Sequence, residues 1–255
     1  MKVVRAKKYL GQHFLNDINI AKRTTDLLKK RENQNILEIG PGMGMLTQYL
    51  IEKKTNLKLI EIDLESIVYL KKKFLNIETK IIEGDFLKEN ISNIFKSDIS
   101  MIGNFPYNIS SQILFKVYEN KEIIFELVGM FQKEVAERII SNSGRKRGIL
   151  SVFIQAFYNV EYCFTIEEES FSPPPKIKSA VIKLSRNSRE KLDCDPILFK
   201  NIVKAAYNQR RKTLRNALKS FNLTIDDDIT NLLSLRAEKL SVDEFIKITK
   251  NVEKK

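Results

Sequence analysis

The sequence predicts an α/β fold, a parallel sheet with helices on both faces, followed by a small all-helical domain. Three observations carry this. Between about residues 35 and 105 short apolar runs alternate with helical stretches, the rhythm of βαβ units. A glycine-rich turn, Gly40-Pro41-Gly42-Met43-Gly44, directly follows the first of those runs. From about Ser188 only helical spacing remains, which places a domain boundary at 187/188 and predicts units of 1–187 and 188–255.

Taken in order, 35–39 reads as a buried strand, 46–53 as a helix, 57–62 as a second strand and 64–74 as a second helix. Residues 79–83 and 99–102 are further strands. After Pro106 come helices at 111–119 and 132–140, then a third at 150–157 that runs into a strand near 160–166. Pro173-Pro174-Pro175 separates that strand from another at 179–184, because proline donates nothing to a ladder and stiffens a loop. Pro196 fits the first turn of a helix continuing through Lys219. Shorter helices follow at 227–233 and 242–251, the latter opened by Ser241 with Glu244 three residues on, a capping-box pattern.

Composition removes several classes of function. The chain has 255 residues, 43% of them hydrophobic, enough for a real core rather than wholesale disorder. No apolar run approaches the ~20 residues that cross a bilayer. The basic N-terminal stretch lacks the apolar segment and cleavage site of a secretory signal, so a cytoplasmic location is expected, with both cysteines, Cys163 and Cys194, reduced. Two cysteines and a single histidine, His13, cannot supply a disulfide framework, a zinc cluster or paired-histidine metal chemistry, so no metal is expected. No long hydrophobic stripe demands a partner copy, and a monomer is expected.

The charge is +12, from 44 Lys+Arg against 32 Asp+Glu. It is clustered. Lys2, Arg5, Lys7 and Lys8 precede the first acid, Asp17. Residues 200–219 hold Lys200, Lys204, Arg210, Arg211, Lys212, Arg215 and Lys219 with no acid among them. Arg145-Lys146-Arg147 forms a third cluster. A merely solvated surface would intersperse the signs, as 61–73 and 226–255 do, so these clusters read as phosphate contacts with a polyanion.

The glycine turn has the spacing G-x-G-x-G rather than the dinucleotide G-x-G-x-x-G. Glu61, at the end of the second strand, stands where a carboxylate accepts from both ribose hydroxyls of a nucleoside. Asp85 ends the third strand on the same rim and can accept from an adenine amine. Alone, the turn would be an ordinary strand-to-helix connection with two solvated acids nearby. Three such features at consecutive strand ends point instead to a nucleoside cofactor without a pyrophosphate, and S-adenosylmethionine meets that requirement.

The next strand ends in Gly103-Asn104-Phe105-Pro106-Tyr107-Asn108. The N6 of adenine is a poor nucleophile because its lone pair is delocalised into the ring. Two acceptors holding its hydrogens localise and aim that pair, and an Asn side-chain oxygen with a backbone carbonyl beside Pro106 suits the task. Tyr107 can stack on the base, worth ~1–3 kcal/mol in comparable contacts. Neither a metal nor a strong base is required, because alignment and electrostatics supply the rate. Phe171, in Ser170-Phe171-Ser172-Pro173-Pro174-Pro175-Lys176, is either a core residue or a loop aromatic that clamps the base from its other side; Lys176 and Lys178 beside it favour a loop facing nucleic acid, and the clamp is the expectation.

Together these residues resemble the ribosomal RNA adenine N6,N6-dimethyltransferases. The segments that carry the resemblance are Leu10-Gly11-Gln12-His13-Phe14-Leu15, Leu37-Glu38-Ile39-Gly40-Pro41-Gly42, Gly103 to Ser110, Gln132-Lys133-Glu134-Val135-Ala136-Glu137-Arg138, Phe171 to Lys176, and Arg210-Arg211-Lys212-Thr213-Leu214-Arg215-Asn216. They span nearly the whole chain. The chain is similar in particular to members that dimethylate two adjacent adenines near the 3′ end of 16S rRNA in the 30S particle. The resemblance implies a Rossmann-like methyltransferase domain with one antiparallel strand and a helical C-terminal domain that touches the ribosome. It also implies that His13 and Leu15 line the cofactor site with Gly40, Gly42, Glu61, Asp85 and Asn104. Two positions depart from the family: Phe105 replaces its usual aliphatic residue, and His13 stands where many members have Asn. The competing readings are a large-subunit rRNA adenine methyltransferase of the antibiotic-resistance type and an RNA-binding assembly factor without chemistry.

Overall fold

A computed structural model describes residues 4–31, 33–53 and 55–253; Lys2 of the basic N-terminal run lies outside them. The chain divides into two compact units, Met1–Ala136 with Val160–Arg186, and Glu137–Asn159 with Asn187–Lys255.

The first unit is built on strands β1 (Phe14–Leu15), β2 (Asn35–Ile39), β3 (Asn56–Glu61), β4 (Ile81–Glu83), β5 (Ile99–Asn104), β6 (Ile124–Gln132), β7 (Tyr158–Ile166), β8 (Phe171–Ser172) and β9 (Ser179–Arg186). Seven form one sheet in the order β4-β3-β2-β5-β6-β9-β7. The first five of these run parallel and β9 is antiparallel to β6. Strands covered on both faces read as continuous apolar runs, as in Ile36-Leu37 and Met101-Ile102, all at most 1% exposed. The register Ile39↔Ile60, Glu61↔Glu83 and Glu38↔Ile102 aligns the carboxyl ends of β2 to β5. The Gly40 turn, Glu61, Asp85 and Asn104 therefore share one rim, at the point where the strand order reverses between β2 and β5.

The helices follow the apolar spacing. Leu64–Lys73 starts on Asp63, whose side chain accepts from the Glu65 amide, and buries Ile67 and Leu70. Each fully buried aliphatic contributes roughly 1.5–3 kcal/mol. Ser110–Glu119 buries Ile113, Leu114 and Val117.

Several expectations are corrected. A strand, β6, lies between the helices expected at 111–119 and 132–140, and it sits deep in the sheet, buried at Leu127, Val128, Met130 and Phe131. Its run of apolar residues has no Pro and a single Gly to mark it off, and periodicity alone does not separate a short buried strand from a buried helix segment. β4 keeps only the end of the expected 79–83, because Glu78–Lys80 is a 3₁₀ turn. Phe171 is a core residue rather than a base clamp: it is 2% exposed, pairs across β1/β8 with Leu15, and packs with Leu15, Met130 and Val181. The triple proline stiffens the chain just after it, but Phe171 itself points into the core.

The second unit comprises the helices Ile149–Phe157, Pro196–Asn208, Leu214–Ala217, Asp227–Ser234 and Val242–Lys250. The first is apolar almost all round, burying Leu150, Val152, Phe153, Ile154 and Phe157. Its Phe153 packs 6.2 Å from Phe199, so 137–159 belongs with the C-terminal helices although it precedes residue 187 in sequence. The helix expected over 196–219 stops at Asn208 and resumes only at Leu214. Gln209, Arg210, Arg211 and Lys212 offer no apolar residue to bury between Asn208 and Thr213, so no packed face sustains a continuous helix there. The capping box at Ser241 and Glu244 is present as expected. No helix of the described residues is long and apolar enough to cross a membrane.

Candidate active site

A cavity of about 220 Å³ opens on the carboxyl rim of the sheet. Gly40, Gly42, Glu61, Asp85, Asn104, Pro106, Tyr107 and His13 line it together, as the sequence led us to expect. Leu15 does not: its side chain is 4% exposed in the core and meets only a smaller void behind the glycine turn.

The turn needs its glycines for two different reasons. Gly40 has φ +65°, and a Cβ there would meet nothing within 4 Å, so it would project into open space where a ligand can approach the backbone. Gly42 has φ +55°, and its Cβ would fall 2.9 Å from the Phe14 ring. The Gly42 amide donates to Glu61 Oε2 at 3.0 Å, while Glu61 Oε1 accepts from the Ile62 and Asp63 amides, both at 2.9 Å. Burial nevertheless raises the Glu61 pKa, outweighing these three bonds. Asp85 Oδ1 accepts from the Leu87 amide at 2.9 Å.

Asn104 Nδ2 donates to the His13 carbonyl at 2.7 Å, which turns Oδ1 the other way as a free acceptor. The Pro106 carbonyl accepts from the Ile109 amide at 3.2 Å, closing the turn. Tyr107 is fixed on two sides. Its hydroxyl hydrogen-bonds Ser179 Oγ, and its ring stacks on His13 at 5.4 Å between centroids. The His13 Nδ1–H donates to the Pro173 carbonyl at 2.7 Å, which holds the His13 ring against Tyr107.

The N-terminal segment over the cavity is held by a contact the sequence did not reveal. Lys7 pairs with Asp63 Oδ1, and Gln12 Nε2 donates to Asp63 Oδ2 at 3.0 Å. Burial pushes the Asp63 pKa up, but the bonds from Lys7, Gln12 and Ser66 prevail and hold it below the ordinary value. Lys116 is a second residue that sequence reasoning misses: its ammonium donates to the carbonyls of Phe86 (2.6 Å), Leu87 (3.0 Å) and Glu89 (2.5 Å) and so fixes the loop after Asp85. A lone lysine in a helix carries no local pattern that announces such a contact.

Glu38, beneath the turn, is 1% exposed and accepts from Thr47 Oγ1 at 2.7 Å. Burial raises its pKa from 4.5 to about 8. With the folded value above the unfolded one, the native state holds more protons between pH about 4.5 and about 8, and this group's contribution to stability falls as pH rises through that window. Glu38→Gln is expected to flatten the fall; thermal melts of both proteins at pH 5, 6.5 and 8 check it, and parallel curves would refute the assignment.

The basic clusters are less uniform than their composition. Arg147 is 1% exposed and spends its donors on Leu240 O (3.0 Å), Ser141 O (2.7 Å) and Gln155 Oε1 (2.5 Å); it is structural rather than a phosphate contact. Lys7 is occupied by Asp63, Lys146 by Glu137 and Lys178 by Glu167. Arg210 donates to Arg145 O at 2.6 Å and Arg147 O at 3.2 Å, bracing that loop. Lys8, Arg145, Lys176, Arg211, Lys212 and Arg215 are exposed.

The comparisons with known proteins agree with this geometry. The family model for ribosomal RNA adenine dimethylase matches residues 3–254. A ribosomal RNA small subunit methyltransferase A from Bacteroides fragilis is 52% identical, over 99% of this chain and 94% of the relative. One of the same name from Cytophaga hutchinsonii is 53% identical over 98% of each. Among solved structures, a dimethyladenosine transferase from Plasmodium falciparum superposes with a TM-score of 0.79 at 25% identity, covering 92% of this chain and 96% of that one. The 23S rRNA methyltransferase ErmE gives 0.74 at 20% identity, covering 94% and 100%, a likeness of fold. A sheet with one antiparallel strand inserted beside β6, a glycine turn and two acids on its rim, and a match from residue 3 to residue 254 have one common explanation: the chain belongs to the ribosomal RNA adenine dimethylase family.

Proposed function

We propose that this chain transfers methyl groups from S-adenosylmethionine to the N6 of adenines in small-subunit ribosomal RNA, two adjacent adenines near the 3′ end of 16S rRNA, within the 30S particle or its precursor. One observation carries the cofactor: the described residues that line the cavity include two carboxylates, Glu61 and Asp85, and no Lys or Arg. Such a donor set fits a cationic nucleoside and offers nothing to a pyrophosphate. Gly40 leaves open space for close approach, and Glu61 and Asp85 would accept from ribose hydroxyls and the adenine amine. The cofactor, when bound, supplies an already activated methyl group on a sulfonium.

The protein's own groups then bind and aim the target. Asn104 Oδ1 and a backbone carbonyl accept the two N6 hydrogens. With Pro106 O engaged by Ile109, that carbonyl is the one of Phe105, immediately before the proline. Holding both hydrogens in the plane of the acceptors directs the nitrogen lone pair at the methyl group. Tyr107, braced by Ser179 and His13, presents a fixed face for the base. The proton leaves after transfer, and no residue need act as a strong base. The relatives that cover the full chain bear a small-subunit name, whereas the likeness to ErmE is one of fold, so the small-subunit substrate is favoured over the large-subunit one. Titration with S-adenosylmethionine and with NAD in a calorimeter tests the cofactor: heat from the first and none from the second is expected, and the reverse would overturn it.

For the particle, the exposed and unbraced cations are the contacts. Arg211→Ala, Lys212→Ala and Arg215→Ala together should weaken binding to 30S particles and reduce the salt slope by about one for each phosphate that these side chains neutralise. An unchanged slope would place those side chains away from RNA. Arg147→Ala should instead lower the melting temperature, because it removes the partner of one buried and two half-buried acceptors.

A further inference from the structure

Phe105 stands between Asn104 and Pro106 and is 1% exposed. Its ring folds back over the two strands that carry the site. Gly103 of β5 and Gly129 of β6 are direct register partners, and both lie beneath it. A Cβ on Gly129 would fall 2.1 Å from Phe105 Cε2 and 2.7 Å from Cδ2. A Cβ on Gly103 would fall 2.7 Å from Phe105 Cε1, and also 2.6 Å from the Ile39 carbonyl oxygen. The ring cannot swing aside, because Phe131, 0% exposed, packs against it at 5.0 Å between centroids. Gly129 is absent from the glycines with positive φ, so its backbone is one that alanine adopts freely. The three atoms nearest to such a Cβ all belong to the Phe105 ring, so the volume of that ring calls for glycine at 129.

We propose that Phe105 and Gly129 form a size-matched seat that sets the height of the catalytic turn above the sheet, making Phe105 a positioning residue through its side chain as well as an acceptor through its backbone. The inference rests on the role given above to Asn104 and the Phe105 carbonyl. A rigid ring pressed onto a bare strand pair fixes the main chain on both sides of it, and so fixes the separation of the two acceptors that must meet one amine. A Cβ at 129 would lift the ring and carry both acceptors with it. The cofactor-facing groups lie at the ends of other strands, Glu61 on β3, Gly40 just after β2 and Asp85 just after β4, and would stay where they are. Displacing aligned groups by about 1 Å costs on the order of 100-fold in rate.

The test is a double-mutant cycle of Gly129→Ala and Phe105→Leu in the full chain, with Gly103→Ala as a contrast. Three quantities are read: the turnover of methyl transfer to small-subunit particles, the cofactor Kd by calorimetry, and the melting temperature. Gly129→Ala should lower turnover by about 100-fold with the cofactor Kd changed less than about threefold. Phe105→Leu, which replaces the ring with a smaller side chain, should restore Gly129→Ala by at least about tenfold and restore part of its melting temperature. It should not restore Gly103→Ala, whose Cβ also meets the immovable Ile39 carbonyl. The proposal is overturned if Gly129→Ala turns over like wild type, if the double variant is no better than Gly129→Ala, or if Phe105→Leu rescues Gly103→Ala equally well. Wild-type protein that methylates no adenine would sink the functional reading instead; coupling of the melting temperatures would still report whether ring and glycine share one space.

Discussion

Asn104→Ala should reduce methyl transfer by about 10²–10³-fold, the range found when one aimed polar group is removed from a water-poor site. The reason is geometric. The amide is locked by its Nδ2 bond to the His13 carbonyl, so Oδ1 waits in place as an acceptor and needs no reorganisation when the base arrives. Alanine removes the acceptor and leaves the Phe105 carbonyl to hold a single N6 hydrogen, which no longer fixes the lone pair. Cofactor affinity should change little, because Glu61, Asp85 and the glycine turn are untouched. Asn104→Asp is the sharper variant: it keeps an acceptor but sets a carboxylate oxygen against the His13 carbonyl, so the aim is lost even though the acceptor remains. Single-turnover kinetics beside calorimetry separate the two effects. Retained turnover in Asn104→Ala would remove this residue from the chemistry.

Glu61→Ala should weaken S-adenosylmethionine binding by about 10–100-fold, the equivalent of one hydrogen bond to a charged acceptor. Two effects combine in it. The ribose is deprived of its acceptor, and so are the amides of Gly42, Ile62 and Asp63, so the turn that faces the cofactor loosens at its base. Glu61→Gln keeps the shape but turns donors toward donors, and it should weaken binding while preserving more of the melting temperature than alanine does. Calorimetry measures the affinity and a thermal melt the structural part. An unchanged Kd in both variants would show that the cofactor sits elsewhere.

Much of the fold's rim is legible in the sequence because it is local. The β2 run ends at a glycine turn, β3 ends at Glu61 and β5 ends at Asn104, and each is marked by residues adjacent in sequence. What is not legible depends on distant partners. β6 carries no punctuation, and its identity comes from pairing with β5 and β9 on either side. Phe171 is misleading because a loop of prolines and lysines suggests exposure, while its fate is decided by Leu15, more than 150 residues earlier in the chain. Arg147 resembles its neighbours Arg145 and Lys146 in sequence, and only its three acceptors on other segments set it apart. Tertiary partners, rather than composition, decide which cation is left exposed and which is a strut. Under the proposed function, the +12 charge would reach the RNA through fewer side chains than the sequence implies.

The measurement that tests the whole account most directly uses isotopically labelled S-adenosylmethionine with separated 30S and 50S particles that lack the modification, followed by mass spectrometry of the RNA digested to nucleosides and mapped fragments. The account predicts label in the 30S particles alone, recovered as N6,N6-dimethyladenosine at two adjacent positions near the 3′ end of the 16S RNA. Label in the 50S particles, or on any atom other than adenine N6, would contradict it.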